Sequence, residues 1–72
     1  MAKSLIGNHV RKLRFNHDEM TQQQLADRVG ITRQTVVAIE KGNYSPSLEL
    51  AFRIARVFGT SLEEVFYMED EQ

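Results

Sequence analysis

The chain has no cysteine, so disulfides and thiolate metal sites are excluded and a reducing compartment is the default expectation. Its two histidines, His9 and His17, lack the spacing and the companion ligands that zinc requires, and neither a metal nor another cofactor is expected. No apolar run approaches the roughly 20 residues of a membrane span, and the first residues lack the apolar stretch of a secretory signal. A soluble, cytoplasmic protein with no membrane partner is the expectation. Glycine-rich phosphate loops and nucleophile–base signatures are missing as well, which argues against an enzyme. There are no internal repeats and no low-complexity stretches.

What remains is a balanced composition. Hydrophobic residues make up 42% and charged residues 26% of 72 residues, enough apolar surface to fold. A chain this short buries only about 60% of its unfolded surface, so residues 1–72 read as a single domain, with a core over about 4–66. The net charge of -1 conceals an asymmetry: residues 1–60 carry nine Lys/Arg against five Asp/Glu, whereas residues 61–72 carry five Asp/Glu and no base. Any surface for a polyanion lies in the first part, and residues 69–72 form an acidic tail.

Hydrophobic periodicity and capping signals predict an all-α, five-helix chain in which no strand is required. Val10 and Leu13, with Ile6, fall at helical spacing and predict a first helix from about Ser4 to Phe15. Thr21 and Gln24 form a capping box flanked by Met20 and Leu25 at hydrophobic-staple positions, and Gly30 stops the helix that begins there. Thr32 caps the next, with Ile31 and Val36 as its staple, and periodicity runs over 32–41 until Gly42 ends it. After the turn Asn43-Tyr44-Ser45-Pro46, Ser47 caps a fourth helix carrying Leu48, Ala51, Ile54, Ala55 and Phe58, which Gly59 closes. Ser61 and Glu64 form a further capping box for a short fifth helix holding Leu62, Val65 and Phe66.

The second and third helices carry the function. Two short helices joined by a tight glycine turn pack together only if particular positions are apolar or small, and here Leu25, Ala26, Val29, Gly30, Ile31, Val36 and Ile39 meet those demands. This is the spacing of a helix-turn-helix, whose second helix lies in the major groove of DNA. On a helical wheel Val36 and Ile39 point inward, while Gln34, Val37, Ala38 and Lys41 face outward with Arg33 at the edge. Arginine bonds guanine O6/N7 and glutamine adenine N6/N7 in bidentate fashion, so Arg33 and Gln34 form a competent reading pair; an exposed Val37 suits a thymine methyl. Gln22 and Gln23 occupy a helix first turn, whose free amides attract phosphate.

These residues resemble the Cro/CI-type (XRE) helix-turn-helix family of bacterial and phage repressors over nearly the whole chain. The likeness runs through Thr21-Gln22-Gln23-Gln24-Leu25-Ala26-Asp27-Arg28-Val29-Gly30, then Ile39-Glu40-Lys41-Gly42 and Ser45-Pro46-Ser47-Leu48. It implies a compact lambda-repressor-like domain that regulates transcription, as a repressor, from double-stranded DNA. It further implies that Thr32, Arg33, Gln34, Val37 and Ala38 approach bases, and that Gln22 and the 42–47 loop touch phosphates. Gln23, Lys41, Asn43, Tyr44 and Ser45 complete the expected phosphate set. Glu40 would pair with an arginine of the first helix, a position Arg14 matches, although the loop from Phe15 to Met20 is one residue longer than in short-loop members.

One recognition helix contacts only a few base pairs, so a homodimer on a near-palindromic operator is expected. Tyr67 and Met68, apolar surface beyond what the core needs, are its expected interface. Two other readings fit the same fold: an antitoxin-like module whose partner is a toxin protein, and an architectural protein without sequence preference. Salt-dependent duplex binding distinguishes a regulator from a pure protein-binding module.

Overall fold

The computed structural model describes residues 5–69; the expected helix start at Ser4 and tail residues 70–72 lie outside the described residues. In chain order the elements are β1 (Ile6–Asn8), α1 (Val10–Asn16), α2 (Gln22–Val29), α3 (Arg33–Glu40), α4 (Leu48–Phe58), α5 (Leu62–Val65) and β2 (Phe66–Met68). Five helices dominate, as the periodicity predicts.

The antiparallel pair β1–β2 corrects the expectation of no strand and moves the start of the first helix to Val10. Ile6 pairs with Met68, Gly7 with Tyr67 and Asn8 with Phe66. Two local features stop helix from extending backwards. The Asn8 side-chain oxygen accepts the Val10 N–H at 3.0 Å and starts α1 there. Gly7 lies under the Tyr67 ring, which leaves no room for a Cβ. At the other end Phe66 leaves the fifth helix for the strand, its backbone extended at φ -124°.

Caps define the middle of the chain. The Thr21 hydroxyl accepts the Gln24 N–H at 3.0 Å while the Gln24 side chain accepts the Thr21 N–H at 2.9 Å, so both halves of the capping box form. Gly30 takes the left-handed conformation that ends α2, and Thr32 then caps α3 through the Thr35 N–H at 3.2 Å. Gly42, at φ +80°, closes α3: its N–H donates to Ile39 O and the Asn43 N–H to Ala38 O, the pair of bonds of a Schellman motif. Ser47 caps α4 through the Leu50 N–H.

Val10, Met20, Leu25, Ala26, Val29, Val36, Ile39, Ile54, Ala55, Phe58 and Val65 form one buried cluster. Every helix contributes to it. Met20 and Leu25 are both buried, so the staple that fixes the entry to α2 is also part of the core. Between α1 and α2, Asp18 and Glu19 adopt left-handed backbone (φ 57° and 55°), which turns the chain back onto the core.

Candidate nucleic-acid interface

The core fixes which side of α3 remains outside. Val36 and Ile39 are buried, so Thr32, Arg33, Gln34 and Lys41 stand exposed. Val37 and Ala38 are half-buried, which corrects the expectation of a fully exposed Val37. The wheel still turns both outward beside Gln34 and Lys41, so their partial burial comes from the fold around the helix and not from a place on the buried stripe. Among the described residues the side chains of Arg33 and Gln34 have no hydrogen bond or ion pair. The Thr32 hydroxyl, by contrast, is engaged with both the Thr35 N–H and the Thr35 hydroxyl.

Beneath this face lies a polar cluster that holds α3 to α1 and α2. Arg14 Nε donates to Glu40 Oε2 at 2.6 Å and Nη2 to Glu40 Oε1 at 3.1 Å, a bidentate pair whose side chains are only 12% and 8% exposed. Arg14 Nη1 also donates to Met20 O at 2.8 Å, tying down the turn before α2. Gln22 Nε2 donates to the same Glu40 Oε1 at 3.1 Å. A carboxylate in the last turn of a helix is disfavoured by the macrodipole, and these three donors offset that cost.

The remaining expected phosphate residues lie on the first turn of α2 and on the loop after α3. Gln23 is exposed and donates to Asp27 Oδ1 at 3.0 Å, an i,i+4 contact along α2. Asn43, Tyr44 and Ser45 are exposed on the loop that the Schellman motif launches. Tyr67 and Met68 are exposed on β2, but strand alternation sends them to opposite faces of the ribbon. Tyr67 covers Gly7 and lies 4.9 Å from the His9 ring. Met68 shares its face with Ile6 and Phe66, which line an apolar groove with Pro46, Leu48, Ala51 and Leu62.

Sequence reasoning passed over two residues that support the site. Asn8 Nδ2 donates to Ile39 O at 2.9 Å, and Arg53 Nη1 donates to Val29 O at 3.3 Å at the end of α2. The Gly7-Asn8 pair before Val10 carried a signal for the first, since asparagine readily bonds the backbone two residues on and so turns the chain into a helix. Nothing local marks Arg53. No group of three metal-ligating side chains comes together, and no helix is long and apolar enough to cross a membrane, among the described residues.

The helix-turn-helix family model matches residues 11–65. The uncharacterized HTH-type transcriptional regulator MJ0272 of Methanocaldococcus jannaschii is 48% identical over 65 residues, 90% of this chain and 97% of that protein. The cryptic phage CTXphi transcriptional repressor RstR of Vibrio cholerae is 31% identical over 61 residues, 85% of this chain and 54% of RstR. A solved structure of a proposed DNA-binding protein from Bacteroides fragilis superimposes with a TM-score of 0.74 over 86% of this chain and 98% of its own, at 16% identity, a likeness of fold alone. The chain belongs to the Cro/CI-type helix-turn-helix family of DNA-binding transcriptional regulators.

Proposed function

We propose that the protein is a cytoplasmic repressor that binds one operator sequence in double-stranded DNA, with α3 in the major groove. The observation that carries this reading is the exposed, unpartnered Arg33–Gln34 pair on the first turn of a helix whose remaining polar groups are largely held internally. Its side chains are free to exchange water for base edges at little cost within the protein. Thr32, Val37 and Ala38 flank the pair as further base contacts. Gln22, Gln23, Lys41, Asn43, Tyr44 and Ser45 are proposed to set register on the phosphates.

The same reading includes a two-fold dimer, because symmetry supplies the second half-site about 34 Å away in the next major groove. Tyr67 and Met68 are the proposed interface residues; because they lie on opposite faces of the ribbon, the apolar groove lined by Ile6 and Phe66 favours the Met68 face for the second copy. A toxin-type protein is the rival occupant of this surface. Sedimentation at micromolar concentration with and without operator tests the dimer: a dimer supports it and a monomer in both conditions ends it, whereas copurification of a stoichiometric toxin supports the rival.

Base reading is tested by selecting bound oligonucleotides at matched salt. Arg33→Ala is expected to cost about 1–3 kcal/mol on the selected site and to relax preference at one base pair. An unchanged selected site would remove Arg33 from the reading set.

A further inference from the structure

The last turn of α3 is held by side chains from three separate elements. Arg14 of α1 and Gln22 of α2 take the Glu40 carboxylate, and Asn8 of β1 takes the Ile39 carbonyl. Only the Asn8 bond reaches the main chain of the helix. Ile39 O already accepts the Gly42 N–H at 2.9 Å within the Schellman motif, so Asn8 occupies the second lone pair of a carbonyl at the exit from α3. Asn8 itself has little freedom. Its side-chain oxygen accepts the Val10 N–H, its backbone pairs in register with Phe66, and the following His9 N–H donates to Val65 O at 2.8 Å.

We infer that Asn8 is a positioning residue for DNA recognition, acting through the Ile39 carbonyl on the last turn of α3 and on the 42–47 loop. This rests on the reading above that α3 enters the major groove. The terminal ribbon fixes Asn8, Asn8 fixes the exit of α3, and that exit directs Lys41 and the loop bearing Asn43, Tyr44 and Ser45. Base contacts from Arg33 and Gln34 and phosphate contacts from the loop must be made together, so a looser exit costs most where both are engaged. On random duplex the loop can adjust to the phosphates without keeping register with a base.

Asn8→Ser isolates the bond, because serine still accepts the Val10 N–H but is too short to reach Ile39 O. Binding is measured well below the melting temperature, on a selected operator and on random duplex at matched salt. The expected result is a five- to tenfold loss on the operator, the size of one hydrogen bond, with random duplex changed less than twofold. A purely structural role would lower both affinities by the same factor or neither, and either outcome overturns the inference. Should the variant fold poorly, the wild-type protein supplies the test by NMR. Exchange of the Asn8 side-chain amide is expected to slow further on operator binding, and faster exchange in the complex overturns the proposal. Wild-type protein with no preference between operator and random duplex would end the groove reading itself, a result visible before any variant is made.

Discussion

Glu40→Ala tests whether the cluster under α3 holds the helix-turn-helix together. The substitution removes the acceptor of two Arg14 bonds and one Gln22 bond, leaving the guanidinium with Met20 O alone. Both ionic side chains are about nine-tenths buried, so the stranded arginine recovers little hydration. Breaking such a pair from one side costs about 3–5 kcal/mol, and the residual exposure points to the lower end, about 3 kcal/mol. A chain of this length is stable by roughly 4–11 kcal/mol, so the loss is a large fraction of the total. Arg14→Ala is expected to cost at least as much, because it leaves a carboxylate at the unfavourable end of a helix dipole and also frees the Met20 carbonyl. Replacing both residues by alanine should cost less than the sum of the single changes. Urea denaturation of the four proteins gives the coupling, expected at about 2 kcal/mol. A value under about 0.5 kcal/mol, that of an exposed pair, would refute the argument.

Glu19 holds left-handed backbone and its side chain has no partner among the described residues, so Glu19→Gly is expected to stabilise by about 0.5–1 kcal/mol and raise the melting temperature by about 3–6 °C in calorimetry. Gly7→Ala places a methyl group where the Tyr67 ring lies, and the His9–Tyr67 contact should disappear from proton NMR spectra while the helical circular dichroism persists. Hydrogen bonds from the Thr60 hydroxyl and the Ser61 N–H hold the Glu64 carboxyl below its ordinary pKa. A depressed carboxylate stabilises above its unfolded pKa and loses that contribution as pH falls through the folded one. Glu64→Gln should therefore lower stability slightly at neutral pH and flatten the acid limb of the stability profile, as followed by thermal melts from neutral to acidic pH.

The helices were legible because their signals are local. Thr21 with Gln24, Thr32 with Thr35, and the glycines at 30, 42 and 59 announce their own ends within four residues. The Arg14–Glu40 contact came from family resemblance, since nothing in the intervening residues marks the two as partners. The ribbon was hidden for a different reason. Three-residue strands carry almost no periodic signal, and the partner of Gly7 is Tyr67, near the far end of the chain. Ile6 has the right spacing for a helix with Val10 and Leu13, and only the pairing with Met68 decides otherwise. Alternation within β2 likewise separates Tyr67 from Met68, two neighbours that composition alone treats as one apolar patch.

The ribbon also closes the chain into a ring. Glu69 N–H donates to Leu5 O at 2.8 Å, so the first and last described residues touch. Bringing such distant points together costs conformational entropy that every unfolding event returns, and a covalent link there would remove it from the unfolded state. For a loop of this length the entropy amounts to about 4 kcal/mol, comparable to a well-placed disulfide in a molecule that has no cysteine. The same adjacency suits the chain to circular permutation: joined across Leu5 and Glu69, it could be reopened in the exposed turn at Asp18, just past the end of α1, without cutting the helix-turn-helix.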